Sequence, residues 1–261
     1  MQPTYNKIGI GYNNTRQADD YLLSRMFELL EAEKGKNYLD IGCGTGNYTV
    51  ALEKKGLQFT GVDPSEVMLK EAKQKSKTIN WLQGTAENIP AKDNSFKGVL
   101  GILTLHHWQN LELGFKELYR VLQPKSKLVF FTSSPEQMAG YWLNHYFPRL
   151  IEVSGKNMPS LNTLQNHATK TGFTFNCQEN YFVKEDLKDL FLHSGKHDPE
   201  LYFRDEIRKG ISTFAALSNK EEVEKGLQHL RSDIDSGKFE SIKKQCDNDL
   251  GDYCFVVFEK K

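Results

Sequence analysis

Residues 38–56 read YLDIGCGTGNYTVALEKKG, with three glycines at alternate positions between a short apolar run and a stretch of helical spacing. A glycine-rich turn from strand to helix lets a ligand reach the main chain without meeting a Cβ, and it aims free amide N–H groups at that ligand. It also sets the course of the chain, because a strand over 36–41, a helix over 47–55 stopped by Gly56, and a strand over 57–62 make one βαβ unit.

That unit recurs. Residues 65–75 carry a helical pattern, 79–83 and 98–103 read as strands, 111–122 as a helix and 127–132 as a strand. Strands alternating with helices imply a parallel sheet covered on both faces. Pro90 and the polar residues 92–95 mark a surface loop, and 123–126 mark a turn around Pro124. Ahead of the first strand, Ala18, Tyr21, Leu22, Met26, Phe27, Leu29 and Leu30 predict an amphipathic helix over 15–32. Past Thr132 the rhythm changes: 137–151 is rich in aromatics, 173–183 reads as a strand, 184–244 is charged and helix-prone, and 253–259 reads as the last strand. The excursion is expected to be a helical insertion between two final antiparallel strands. Within it, 220–235 reads as a helix that buries Val223, Leu227, Leu230 and Ile234.

Across 261 residues, 34 Lys plus Arg balance 34 Asp plus Glu, so no long-range field gathers polyanions or holds the chain to an acidic membrane. Neither a nucleic acid nor a membrane is expected as a partner. Cys43, Cys177, Cys246 and Cys254 form no CxxC pair and no Cys/His metal spacing, which points to reduced thiols and no metal. No signal-like N-terminal stretch and no run of about 18 apolar residues occurs, and a cytoplasmic protein is the expectation.

The glycine spacing narrows the ligand. Gly42, Gly44 and Gly46 give GxGxG, whereas the dinucleotide fingerprint GxGxxG asks for glycine where Asn47 stands, and no Gly-Lys-Ser/Thr of a phosphate loop follows. Asp63 closes the second strand in GVDPS, 23 positions after Asp40, where a carboxylate can accept hydrogen bonds from both hydroxyls of an adenosine ribose. Asp40 falls near the amino-acid end of such a ligand; in the plainer alternative it caps the following helix. Cys43, with no base signalled nearby, reads as a small space-filling residue.

The segments DIGCGTGNYT, GVDPSEVML, GTAENIPAKDNSFKGVLGILTLHHW and ELYRVLQPKSKLVFFT occur in that order. Together, over residues 38–132, they resemble the class I S-adenosylmethionine-dependent methyltransferases, above all the group of the ubiquinone/menaquinone C-methyltransferases and the malonyl-carrier O-methyltransferase. The resemblance implies an α/β, Rossmann-like, seven-stranded, mostly parallel sheet with helices on both faces and a helical insertion before the last strand. It divides the chain into an N-terminal helical segment over the cofactor site (1–35), a cofactor-binding core (36–135), an aromatic-rich segment with the sixth strand (136–183), a helical cap (184–250) and the last strand (251–261).

The cofactor so implied is S-adenosyl-L-methionine. Gly42, Gly44 and Gly46 would line its methionine moiety, with Asp40 near the ammonium group. Asp63, with Pro64 beside it, would bind the ribose. Met68 would lie along the adenine face, Thr85, Ala86 and Glu87 would border its edge, and Ile102 and Leu103 would offer backbone groups to the amino-acid portion. The family often has Asp where this chain has Thr85, whose hydroxyl can still accept a hydrogen bond, and Pro-Gly-Gly where it has Pro124-Lys125-Ser126. In similar enzymes the N-terminal segment folds over the cofactor, which would bring Tyr12 over it and Arg16 to its carboxylate. The alternative for Arg16 is a solvated side chain at an exposed helix start.

Methyl transfer from a sulfonium is an in-line displacement whose positive charge disperses, so positioning and desolvation supply much of the rate. A base is needed only where the acceptor must lose a proton. His106 and His107 in LTLHHW lie just past the fourth strand, at the carboxyl edge of the sheet where α/β proteins place ligands, and histidine titrates near neutrality. They are the candidate catalytic residues; in the alternative, one packs on Trp108 and the other caps the next helix. The Asn/Asp-Pro-Pro-Tyr motif of amino-methylating nucleic-acid enzymes is absent from GILTLHHWQN. Tyr141, Trp142, Phe191, Tyr202, Phe203 and Phe214 either line an acceptor pocket or form ordinary cap core. The expected function is methyl transfer from S-adenosylmethionine to a small-molecule acceptor by a monomer or homodimer. A tRNA-nucleoside methyltransferase and a non-catalytic S-adenosylmethionine-binding domain are the alternatives.

Overall fold

The structure, a computed structural model, describes residues 15–217 and 219–261. Its strands are β1 (Asn37–Ile41), β2 (Gln58–Asp63), β3 (Asn80–Gln83), β4 (Phe96–Ile102), β5 (Leu122–Thr132), β6 (Phe173–Tyr181) and β7 (Tyr253–Lys260). They form one sheet in the order β3-β2-β1-β4-β5-β7-β6, with the first five strands parallel and β7 antiparallel to both β5 and β6. This is the Rossmann-like arrangement expected, down to the antiparallel pair at the end.

The apolar runs explain why the sheet is covered on both faces. Side chains alternate along a strand, so Val129 and Phe131 of β5, with Tyr253, Phe255 and Val257 of β7, face one core, while Leu128, Phe130, Cys254, Val256 and Phe258 face the other. The first core is completed by α1 (Asp20–Leu29), α2 (Asn47–Glu53) and α3 (Glu66–Lys75). The second is completed by α4 (Leu111–Val121) and α8 (Leu161–Lys170). A third core lies away from the sheet. It joins α5 (Pro135–Ala139), α6 (Leu143–Tyr146) and α7 (Pro148–Asn157) to residues 190–246, which carry α9 (Asp205–Gly210), α10 (Lys220–Asp235) and α11 (Phe239–Gln245). Trp142, Tyr202 and Phe147 are its largest fully buried side chains, and Val223, Leu227, Leu230 and Ile234 of α10 pack on it as their spacing predicts.

Three local expectations differ. The first helix starts at Asp20 rather than at residue 15, because the Asp19 side chain accepts from Leu22 N–H at 3.0 Å and caps it there. Residues 184–193 are not helical: Leu190 N–H donates to the Thr15 carbonyl at 3.0 Å, Lys188 N–H to the Asp19 carboxylate at 3.2 Å, and Phe191 enters the first core. Tertiary contacts override helix propensity there. The turn expected at 123–126 lies inside β5 rather than ahead of it: α4 meets β5 at Leu122, which pairs with Phe96, and the chain bulges out, with Lys125 at φ 59°, before Lys127 pairs with Gly98. The junction is held by Lys260, whose ammonium donates to the carbonyls of Tyr119 at 2.7 Å and Leu122 at 2.6 Å and to Asn94 Oδ1 at 3.0 Å.

All three donors of that ammonium are thus used, two of them on carbonyls at the C-terminal end of α4. Among the described residues, no helix is long and apolar enough to cross a membrane. Lys260→Met is expected to leave two buried carbonyls unpaired and to lower unfolding free energy by about 3 kcal/mol, read by urea denaturation; an unchanged midpoint would show that the junction does not depend on it.

Candidate active site

The glycine turn lies where the sheet order reverses, between β1, β2 and β4, at their carboxyl ends. Gly42 and Cys43 both donate to the Val62 carbonyl, at 2.8 and 3.1 Å, so the loop after β1 is pinned to the end of β2. Gly42 has φ 73° and sits so close to the segment after β4 that a Cβ would fall 2.1 Å from Thr104 Oγ1. Gly44, at φ 53°, is different: a Cβ there would meet nothing within 4 Å. The loop is therefore closed on its protein side at Gly42 and bare at Gly44.

Asp63 locks that shape. Its Oδ2 accepts from Gly44 N–H at 2.9 Å and its Oδ1 from Ser65 N–H at 2.8 Å, while burial raises its pKa to about 6 against those two hydrogen bonds. Beside the loop is a cavity of about 60 Å³, bounded by Asp40, Gly42 to Thr45, Asn47, Tyr48, Ile102, Arg16 and Asp189. Asp40 is 2 % exposed; one oxygen accepts from Thr49 Oγ1 at 2.6 Å and the other, Oδ1, is enclosed with no hydrogen-bond partner. Burial, and then the nearby charge of Asp63, push its pKa up to about 7. Asp40 does not cap α2; that position belongs to Gly46, which makes no side-chain cap.

Arg16 is not a solvated side chain at a helix start. Its guanidinium pairs with both oxygens of Asp189, Nη2 at 3.1 Å from Oδ2, and Asp189 also accepts from Tyr48 Oη at 3.2 Å. Asn47 Nδ2 donates to the Arg16 carbonyl at 2.8 Å, so the segment ahead of α1 is tied over the glycine loop. Tyr12 lies outside the described residues.

The other expected positions lie outside this cavity. Met68 is buried at the start of α3, held through its N–H to Ser65 Oγ at 3.3 Å, and Pro64 accepts from Gln83 Nε2 at 3.3 Å. Thr85 is exposed and bridges to Asn88, Ala86 is buried, and Glu87 accepts from Gln109 N–H at 2.7 Å and Asn110 N–H at 3.1 Å. Cys43 has its thiol pushed well up by burial, which suits packing and not nucleophilic work.

Leu103 leaves β4 at φ 49° and leads through Thr104 into the 3-10 turn Leu105–His107. Neither plain reading of the histidines holds. Trp108 packs on Phe115 and Phe130, and the cap of α4 is Asn110, which accepts from Leu113 N–H at 3.0 Å. The two imidazoles lie against each other, centroids 3.9 Å apart. His107 is at the exposed rim, whereas His106 turns inward with Nδ1 enclosed and unpartnered, its pKa well below the ordinary histidine range because it is buried. His106, Leu103 and Arg16 border a second cavity of about 40 Å³, to which the cap contributes Leu192, His193 and residues 211–213.

Known proteins resemble this chain. A family model for the methyltransferase domain matches residues 39–130. The demethylmenaquinone methyltransferase of Desulfitobacterium hafniense is 33% identical over 175 residues, 60% of this chain and 68% of that protein. The one from Staphylococcus epidermidis is 32% identical over 182 residues, 65% of this chain and 71% of its own length. A solved structure from Anabaena variabilis, described as a methyltransferase from an antibiotic biosynthesis pathway, matches at TM-score 0.84 and 34% identity over 95% of this chain and 99% of that one. The chain belongs to the class I S-adenosylmethionine-dependent methyltransferases.

S-Adenosylmethionine is the methyl donor of this methyltransferase, and the residues present fit it. An enclosed carboxylate oxygen without a partner, beside a glycine bare of any neighbour, lacks what a ligand ammonium supplies. Asn47, Tyr48 and Asp189 were not legible as site residues. The first two follow Gly46 directly, a position that could have flagged them; Asp189 carries no local signal. One other group of potential metal ligands converges among the described residues, His145, His229 and Asp233, but Asp233 is occupied by Tyr146 Oη at 3.1 Å and Lys238 at 3.4 Å.

Two substitutions separate the roles of the glycines. Gly44→Ala is expected to cost only about 1 kcal/mol of stability, for the left-handed backbone, yet to weaken S-adenosylhomocysteine binding about tenfold in calorimetric titration. Gly42→Ala, driven into Thr104, is expected to cost about 3 kcal/mol in denaturant melts. Equal stability losses in the two variants would refute the distinction.

Proposed function

We propose that this methyltransferase holds S-adenosylmethionine with its amino-acid end at Gly42, Gly44 and Gly46, its ammonium at Asp40 and its ribose at Asp63, and passes the methyl to a small-molecule acceptor. The unpartnered Asp40 oxygen beside bare Gly44 is the observation that carries the reading. The bound donor supplies an electrophilic methyl on a sulfonium; the chain's own residues orient it and exclude water. Asp63 has two oxygens that already fix the loop and further lone pairs for ribose hydroxyls. Pro64, Met68, Thr85, Ala86 and Glu87 flank the adenine, and Ile102 and Leu103 lie where β4 ends.

The acceptor side is small. His106 presents a neutral imidazole from the sheet edge, suited to accept a hydrogen bond from an acceptor hydroxyl and orient it, while its lowered pKa makes it a weak base. The balanced charge of the chain favours a small molecule over tRNA. The relatives named for demethylmenaquinone make an aromatic ring compound a reasonable first acceptor to assay. A cytoplasmic monomer or homodimer is the corresponding cellular form.

Calorimetric titration with S-adenosylhomocysteine tests the donor site. Because Asp40 meets a cation only when ionised, affinity is expected to rise with pH through about 7, and to fall roughly thirtyfold by 1.5 pH units below that. Asp40→Asn should remove most of this slope and bind weakly throughout. In the empty protein the sign is opposite: a carboxyl whose folded pKa is raised from 3.8 to about 7 stabilises the fold below the lower value and loses that contribution as pH rises through the upper. Asp40→Asn should therefore melt higher than wild type at pH above 7. A pH-independent affinity in wild type would remove Asp40 from the ammonium site.

A further inference from the structure

His193 lies in the turn FLHSG ahead of the 3-10 segment Ser194–Lys196, and its side chain is wholly buried. Its backbone is clamped on two sides: its N–H donates to Tyr253 Oη at 3.2 Å, and its carbonyl accepts from Tyr141 Oη at 3.2 Å. Tyr202 fixes the flanking residues, donating to the Leu192 carbonyl at 2.5 Å and accepting from Gly195 N–H at 3.2 Å. The ring stacks on Tyr141 with centroids 4.0 Å apart and tilts against Tyr253 at 4.9 Å. On this frame both Nδ1 and Nε2 are enclosed; the Asp252 backbone carbonyl attracts the imidazole, but neither nitrogen has a well-formed hydrogen bond. A phenylalanine would fill the same place without two unmet polar atoms, so packing alone does not account for an imidazole here.

The ring borders the second cavity, which His106 lines from the sheet edge and whose enclosed Nδ1 is also unpartnered. Arg16 borders this cavity and the one beside Gly44, and consecutive residues divide between them, Ile102 on the first and Leu103 on the second. The two spaces therefore adjoin. Among the described residues, the second is bounded by apolar side chains, hydroxyls, the two imidazoles and one guanidinium, with no carboxylate. A cationic acceptor would find no counter-charge there. Burial keeps His193 neutral, its pKa lowered to about 4 despite the opposing pull of Asp252, so its ring offers one donor and one acceptor.

We infer that His193 is an acceptor-binding residue, and that the acceptor is a ring compound, neutral or anionic, whose hydroxyl or carbonyl is hydrogen-bonded between His193 of the cap and His106 of the sheet edge. The inference rests on the proposed donor site beside Gly44. About 40 Å³ holds little more than water, so a ring enters by displacing Met138 and Met158, the unbranched and adaptable side chains of the wall.

The test uses the full chain loaded with S-adenosylhomocysteine, with phenol and benzylamine as probes near neutral pH. Histidine-ring nitrogen NMR spectra, assigned with His193→Gln, should show phenol shifting the His193 signals and benzylamine leaving them in place. His193→Phe should weaken phenol binding about tenfold, and His193→Gln less, because its amide retains a donor and an acceptor, while S-adenosylhomocysteine affinity changes less than about twofold in both. The proposal fails if phenol leaves the wild-type His193 signals unmoved, if His193→Phe binds phenol as wild type does, or if benzylamine is preferred. The wild-type spectrum decides even where a variant does not fold. Wild type that does not bind S-adenosylhomocysteine at all would instead overturn the donor site, and this inference with it.

Discussion

A single hydrogen bond, from Gly44 N–H to the Asp63 carboxylate at 2.9 Å, holds the geometry on which the site depends. It joins the tip of the loop after β1 to the last residue of β2. The other oxygen of the same carboxylate takes Ser65 N–H, whose side chain in turn caps α3, so one buried group shapes two strand-to-helix turns. Charge-assisted bonds to backbone donors are strong enough to keep such a carboxylate in place despite its burial. With the loop fixed in this way, Gly44 faces open space and Asp40 is left with an unsatisfied oxygen, features that are costly in the empty protein and useful only with a ligand.

The cover over this loop is built from distant parts of the sequence. Arg16, ahead of α1, and Asp189, after β6, form a nearly dry ion pair, with side chains 12% and 1% exposed. Such a pair adds little net stability, but removing one partner costs about 3–5 kcal/mol because the other charge is left buried. Tyr48 of α2 bonds to the same Asp189, and Leu190 beside it bonds to the Thr15 carbonyl. The loop, the segment before α1 and the entry to the cap are thus one connected polar unit. Whatever displaces Arg16 is felt in both cavities, because both include it.

The parts of this architecture that were legible in the sequence are those written locally. The alternation in β5 and β7, the glycine turn and the motif order gave the sheet, its direction and the position of the glycine loop, because period and turn chemistry need only neighbouring residues. What escaped was set by contacts between distant segments. Residues 184–193 have helical composition but take their shape from Thr15, Asp19 and the sheet-face core. The turn at Pro124 and Lys125 was legible as a turn, but its place inside β5 was not, because the α4–β5 junction is held by Lys260 at the far end of the chain. His193 sits in an unremarkable apolar stretch, and only the three tyrosines folded around it make its unpaired nitrogens conspicuous.

Leu103 shows how the fold converts strain into arrangement. A branched residue at φ 49° costs about 1–2 kcal/mol relative to ordinary backbone, and it is held there by its N–H to the Phe131 carbonyl at 2.8 Å. In an undistorted strand, Ile102 and Leu103 would point to opposite faces of the sheet. The left-handed turn instead places them at the carboxyl edge, one bordering the space beside Gly44 and the other the space beside His106. An in-line transfer requires donor and acceptor on opposite sides of the moving carbon and within roughly 3–3.5 Å of reaction distance. With the donor proposed beside Gly44 and the acceptor proposed beside His106, two cavities divided by consecutive residues of one strained turn would set them on either side of the end of a central strand. Glycine at 103 would relieve the strain and also loosen the partition, which is the physical reason for a leucine at a position whose backbone favours glycine.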